Sequence, residues 1–353
     1  MTQRIHDLVE LAHGLGASDI HLVCGLPVKF RLDGRLEDIP ADRSAPLTHQ
    51  DCEDLAAQIA GSRYDVIKDQ GELDLACSFG PVRVRANLFR QQGHVSAALR
   101  LLSDRIPRLD SLGLPPAVLD FPRIPRGLVL VTGETGSGKS TTMAALIDQV
   151  NRTRAENIIT IEDPIEYVHT PVKSVISQRE VGQDTASFQH ALRAALREDP
   201  DVLLIGEMRD LETIQTALTA AETGHFVLAT LHTKSAAESI DRVVEVFPEG
   251  QQRQVRLQLS TCLVAVLSQQ LLPRKDGAGR VLAAELMMVT PAIRNLIREA
   301  KTPQIASSLA TSASVGSITL DNALINLNKR GLISAQTALG ACSDPVYVKG
   351  CVR

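Results

Sequence analysis

No Cys-x-x-Cys pair occurs in this chain. Its six cysteines stand apart at positions 24, 52, 77, 262, 342 and 351 of 353 residues, which gives neither a thiolate zinc module nor the disulfide framework of a small secreted domain. They read as free thiols in a reducing compartment. Nothing approaches the roughly 18 uninterrupted apolar residues that a helical membrane span requires. The opening stretch "MTQRIHDLVELAHGLGASD" interrupts its apolar residues with Arg4, His6, Asp7 and Glu10, unlike the continuous core of a signal peptide. The expectation is a cytoplasmic protein with no direct membrane span, meeting a membrane only through a partner. Strong charge is missing too: a net charge of -4 gives no electrostatic reason to expect a nucleic-acid partner. Repeats and low-complexity tracts are absent. With 44% hydrophobic and 22% charged residues, the composition is that of a folded chain, long enough for more than one domain.

The first hundred residues read as mixed α/β. Ile5, Leu8, Val9 and Ala12 follow the i, i+3, i+4, i+7 spacing of an amphipathic helix. "PVKFRLDGRLEDI" places Val28, Phe30 and Leu32 on one strand face, with Asp33-Gly34 as a hairpin turn. "PVRVRANLF" alternates again, setting Val82, Val84, Ala86 and Leu88 against Arg83, Arg85 and Asn87. Prolines 107, 115, 116, 122 and 125 then crowd residues 106–126, which suits a connector. From about Gly127, strands ("LVLVT", "NIITIE", "DVLLIGE", "HFVLATLHT") alternate with helical stretches, the pattern of a mostly parallel sheet covered by helices. The loop "PRKDGAGR" separates this from a final region that reads as largely helical.

Chemistry concentrates in the second domain. Gly133-x4-Gly138-Lys139-Ser140, after an apolar strand and before a helix, is a P-loop pattern: glycines let backbone N–H groups close around phosphates, the lysine reaches the β/γ oxygens, and the serine can ligate magnesium. "IITIEDPIEYVH" delivers Glu162, Asp163 and Glu166 to a strand end, where carboxylates can hold a metal or activate water; a solvated acidic turn looks the same. "DPDVLLIGEMRD" ends a buried strand in Gly206-Glu207, so Glu207 competes with Glu166 for the catalytic role. His225 and His232 stand at the two ends of "HFVLATLH", where a histidine is as readily structural as catalytic. In "AIRNLIREAK", Ile293, Leu296, Ile297 and Ala300 share a helical face while Arg294, Asn295, Arg298 and Glu299 point elsewhere, which suits either packing or a coupling surface.

These blocks together resemble the secretion ATPases of the type II and type IV pilus class: Walker A, the acidic box "EDPIEY", a Walker B ending in Gly-Glu, and a histidine box, in matching order through about residues 127–260. "GASDIHL", "GLPVKFRLDG", "QREVG", "ALREDPDVLLIGEMRDLETI", "ALTAAETGH" and "AIRNLIRE" extend the likeness to the pilus-retraction branch over nearly the whole chain, weakest at 40–75 and after about 330. The resemblance implies a PAS-like α+β domain over 1–105, a linker at 106–126, a RecA-like P-loop ATPase core at 127–275 and a helical C-terminal region at 276–353. It implies ATP and Mg2+ as ligands. Gly133, Thr135, Gly136, Ser137, Gly138, Lys139, Ser140 and Thr141 would hold phosphates, with Glu162, Asp163 and His225 nearby. Ser140 and Glu207 would serve the metal, Glu166 would activate water, and His232 would support the γ-phosphate. Arg83, Arg85 and Arg100 match positions that supply charge to ATP, partly across subunits.

The same resemblance implies a homohexamer at the inner face of the cytoplasmic membrane. It would turn the inner-membrane platform protein, act indirectly on pilin, and retract a type IV pilus during twitching motility. Assembly motors of the class usually carry a tetracysteine zinc module and an added N-terminal region; neither is seen in this sequence, which favours retraction. The alternatives are an accessory retraction motor, another type II/IV secretion-system ATPase, or a nucleotide-gated ring with little turnover.

Overall fold

The structure is a computed structural model that describes residues 5–32, 34–38, 45–102, 105–277 and 279–352. The chain divides into two compact units, one of residues 1–105 with 164–168, the other of 106–163 with 169–353.

In the first unit the described residues form strands β1 (Asp19–Leu22), β2 (Lys29–Leu32), β3 (Arg35–Asp38), β4 (Glu72–Phe79), β5 (Val82–Gln91) and β6 (His94–Leu101), with helices α1 (Ile5–Gly14), α2 (His49–Ala60) and α3 (Tyr64–Gln70). The strands make one antiparallel sheet in the order β3-β2-β1-β6-β5-β4, the PAS-like α+β arrangement. Alternation decides its faces: Val82, Val84, Ala86 and Leu88 enter the core with Ile5, Leu8, Val9 and Ala12 of α1, leaving Arg83, Arg85 and Asn87 on the other side. Thr48 and Asp51 start α2 with a reciprocal capping box. In the β2–β3 hairpin Gly34 has φ 84°, as a turn glycine should. Asp33, its expected turn partner, lies outside the described residues.

The second unit carries a seven-stranded sheet of described residues: β7 (Gly127–Thr132), β8 (Asn157–Glu162), β9 (Val175–Glu180), β10 (Val202–Ile205), β11 (Phe226–Leu231), β12 (Leu263–Pro273) and β13 (Arg280–Met288), in the order β13-β12-β7-β11-β10-β8-β9. All neighbours are parallel except β12–β13. The order β12-β7-β11-β10-β8 is RecA-like. Helices follow as α4 (Lys139–Thr153), α5 (Phe188–Ala195), α6 (Leu211–Glu222), α7 (Ala236–Glu245), α8 (Glu249–Cys262), α9 (Pro291–Arg298), α10 (Ile305–Ala310), α11 (Leu320–Lys329), α12 (Ala335–Ala341) and α13 (Pro345–Lys349). Every residue of β7, β10 and β11 is buried, because helices cover both faces of the sheet. No helix among the described residues is long and apolar enough to cross a membrane.

Two sequence expectations change in detail. The proline-rich stretch read as a connector contains 3-10 segments at Leu109–Ser111 and Pro116–Arg123, and buries Leu109, Val118 and Phe121 against α4 and the sheet. Proline excludes regular helix and sheet, yet it does not prevent burial. The region after the 273–280 loop opens with β13, paired with β12 from Ala265↔Met288 to Pro273↔Arg280, before its helices begin. An apolar run such as "RVLAAELMM" has no period that separates strand from buried helix.

Candidate active site

The loop between β7 and α4 is shaped by backbone that only glycine adopts easily. Gly133, Gly136 and Gly138 have φ 138°, 80° and 94°. A Cβ on Gly133 would run into the Gln269 carbonyl, so both its dihedral and its surroundings require glycine. Gly138 starts α4 with no side-chain cap, which leaves the first-turn N–H groups of that helix directed at the loop. The Lys139 ammonium folds back onto the same loop, donating to the carbonyls of Gly133 at 2.6 Å and Glu134 at 3.0 Å. The Ser137 Oγ and the Gln269 Oε1 are buried without a hydrogen-bond partner, while the Gln269 amide donates to Thr142 Oγ1 at 2.9 Å.

Strand register brings the other groups to this edge. Thr132 pairs with Leu231 of β11 and Ser268 of β12, and Ile205 of β10 pairs with Ala229 of β11 and Ile161 of β8. Glu162, Asp163, Glu207 and His232 therefore leave the sheet at the same carboxyl edge as the glycine loop, where ligands of open α/β sheets bind. Glu207 Oε1 lies 2.5 Å from Arg209 Nε and 3.2 Å from His232 Nε2. Burial pushes the Glu207 carboxyl up, but the hydrogen bonds and charges of Arg209 and His232 outweigh it and hold it below the ordinary value. Glu162 accepts from Thr160 Oγ1 at 2.7 Å and Gln178 Nε2 at 3.1 Å, which fixes its orientation. Lys234 Nζ reaches Glu134 Oε1 at 2.9 Å, joining the turn after β11 to the glycine loop.

His225 does not join them. It precedes β11 at the edge where Gly127 starts β7, and its carbonyl accepts the Gly127 N–H at 2.9 Å. The length of β11, roughly 20 Å at strand rise, separates it from His232. Its ring Nδ1 lies 2.9 Å from the Ala220 carbonyl at the end of α6, a structural contact. The two histidines look alike in sequence because only strand direction tells the ends apart. Helix α9 brings a second correction. Ile293 and Ile297 are buried and Leu296 packs beside them, but the helix ends at Arg298, and Ala300 lies beyond it, exposed, at φ 57°. Arg294, expected on an outward charged face, donates to the carbonyls of Ser260 and Thr261, both at 2.7 Å, at the end of α8.

Glu166 and the three arginines belong to the first unit. There Arg83 Nε donates to the Ile165 carbonyl at 2.7 Å, Arg85 reaches Asp74 at 3.3 Å, and Arg100 reaches Asp19 at 3.1 Å. Arg85 and Arg100 are opposite each other in register, and Arg31 approaches Asp19 at 3.7 Å from the far side. Among the described residues no group of three or more His, Cys, Asp or Glu is placed to hold a metal.

Sequence reasoning passed over Arg209, Lys234, Gln269 and a C-terminal contribution. A cleft of about 410 Å³ beside the glycine loop is lined by Gly133–Ser137, Lys234, Gln269–Leu272 and Gly340–Cys342. Gln269 was open to notice as a polar residue inside an apolar strand run. Nothing local marks Gly340–Cys342.

A family model described as "Type II/IV secretion system protein" matches residues 1–318. The chain is 48% identical to the type IV pilus retraction ATPase PilT of Pseudomonas aeruginosa, covering 95% of this chain and 96% of that one. It is 37% identical to the type IV pilus ATPase PilU of the same organism, over 94% and 87%. The crystal structure of the pilus retraction motor PilT with bound ADP superposes with a TM-score of 0.92 at 47% identity, over 99% of both chains.

Proposed function

The chain belongs to the type II/IV secretion system protein family, and from that membership we propose that it is an ATP-hydrolysing motor that drives type IV pilus retraction. One observation carries the reading. The loop 133–138, with its left-handed glycines and the uncapped start of α4, gathers backbone N–H donors and Lys139 at the carboxyl edge of a RecA-like sheet, beside a carboxylate kept ionised. Such a loop suits the phosphates of a nucleotide, and the ADP held by the similar retraction motor supports this choice. Identity to a retraction ATPase across nearly the whole of both chains supports the pilus as the load.

Roles follow from chemistry. The N–H groups of Thr135, Gly136, Ser137, Gly138, Lys139, Ser140 and Thr141 cradle phosphates, and the Lys139 ammonium exchanges its loop carbonyls for β/γ oxygens. Ser140 and Glu207 are oxygen donors of the hard kind that Mg2+ takes together with substrate phosphates, and they would hold it here. The ion, when bound, would neutralise phosphate charge during transfer. Glu166 is assigned to water activation; Glu162 and Asp163 are assigned to the acidic edge of the second unit, and His232 to support of the γ-phosphate. Arg85 and Arg100, opposite each other in register and each beside one carboxylate, Asp74 and Asp19, are assigned with Arg83 to the ATP of a neighbouring copy. The motor is assigned as a homohexamer at the cytoplasmic face of the membrane, working on the platform protein and through it on pilin.

Phosphate release by purified protein tests the enzymatic part. Wild type should turn over ATP, and Lys139→Ala should lose at least ~10²-fold in rate while keeping its fold, since the loop then lacks the ammonium assigned to the β/γ oxygens. Wild-type rates in Lys139→Ala would refute the phosphate assignment.

A further inference from the structure

Glu285 is the one acidic residue of β13, and it faces the starts of two helices at once. Its Oε1 accepts the N–H of Ala236, the first residue of α7, at 2.8 Å, and its carboxyl also faces the N–H of Leu320, the first residue of α11. The caps of these helices, Ser235 and Thr319, bond Glu238 and Asn322 instead. The first donors are thus left to Glu285, whose negative charge also suits two helix N-termini. Burial pushes the carboxyl above the ordinary range, and those two N–H groups oppose the push.

Each helix adjoins a segment that lines the cleft. Immediately before α7 come His232, paired with Glu207, and Lys234, paired with Glu134. That turn is tied into the first turns of α7, because Thr233 Oγ1 lies 2.6 Å from Ser239 Oγ and the Lys234 N–H reaches Glu238 at 2.8 Å. Helix α11 opens the C-terminal cluster, whose α12 ends in Gly340–Cys342 on the cleft wall. Register completes the frame: Glu285 lies opposite Ser268, Ser268 opposite Thr132, and Thr132 opposite Leu231, directly beneath the glycine loop.

We infer that Glu285 is a positioning residue: by bonding the first N–H of α7 while facing that of α11 from one point of β13, it fixes the His232–Lys234 turn against the glycine loop and ties that geometry to the C-terminal helices. The inference rests on the proposed role of Glu207 and His232 in ATP hydrolysis. Its test uses full-length protein. Glu285→Gln keeps size but turns an amide donor toward one of two N–H groups. Turnover should fall about tenfold or more while KM for ATP and the melting temperature stay near wild type, because binding groups are untouched and a turn is misplaced. Ala236→Pro removes only the α7 donor, at a helix position proline tolerates. It should show the same loss, and the double variant should be no slower than either single. Wild-type kcat in both variants, or losses that multiply in the double, would overturn the inference. Should Glu285→Gln not fold, Ala236→Pro decides alone, with wild-type kcat overturning it. A wild-type protein with no ATP turnover would sink the ATPase reading itself, and the inference with it.

Discussion

Glu207 gathers two cationic partners at one oxygen, and this separates it from the other acids of the edge. Arg209 and His232 keep it ionised despite burial, as its proposed role toward magnesium requires, whereas Glu162 is turned toward Thr160 and Gln178. Glu207→Gln keeps the shape and removes the charge. It should cut turnover by ~10²-fold or more and weaken the magnesium dependence, while Glu166→Gln should cut turnover without changing the magnesium requirement. A Glu166→Gln protein at full rate would move water activation to Glu207. Titration at His169 gives an independent residue-scale test of the fold. Its ring is buried with Nδ1 unpartnered, and burial depresses its pKa from the ordinary 6.5 to about 4, with Asp148 opposing. Above pH 6.5 the ring is neutral folded and unfolded, so it adds no pH dependence. Between 6.5 and about 4 only the unfolded chain takes the proton, so stability present above that window is lost as pH falls, by roughly 3 kcal/mol in all. Unfolding of His169→Leu measured from pH 7 to 4 should lack that share of the slope. An unchanged slope would mean His169 titrates normally.

At the scale of elements, α9 shows how a motif can be legible and still misread. Its helical period and its buried Ile293 and Ile297 follow from the spacing in the sequence. What the spacing does not contain is the neighbour: Arg294 finds the unpaired carbonyls at the end of α8, so part of the face that reads as solvated is a cap. Arg294→Ala should therefore destabilise the second unit by about 1–3 kcal/mol, the range for charged hydrogen bonds at a helix C-terminus. Arg298, exposed in the last turn, is the residue to test for coupling to the pilus. Arg298→Ala should leave the melting temperature unchanged. A neutral Arg294→Ala melt would show that the α8 carbonyls do without the cap. The strands repeat the lesson. "LVLVT" and "NIITIE" announce themselves by β-branched content, whereas "VISQRE" in β9 and "LVAVLSQQLLP" in β12 carry polar residues whose partners are distant in sequence.

For the whole molecule, the glycine loop and the buried parallel strands β7, β8, β10 and β11 were readable because their causes are local: positive φ demands glycine, and buried parallel strands demand apolar runs. The end of β11 at which each histidine lies, the reach of Gly340–Cys342 to the loop, and the place of Glu285 before two helices depend on register and topology, which no window of sequence contains. The central claim joins the site to the pilus: a phosphate-binding motor whose stroke removes pili from the surface. Deleting the gene and imaging surface pili, with wild-type and Lys139→Ala copies returned on a plasmid, tests it most directly. The account predicts hyperpiliated cells that do not twitch, restored by the wild-type copy and not by Lys139→Ala. Bald cells, or normal twitching with a normal number of pili, would contradict it.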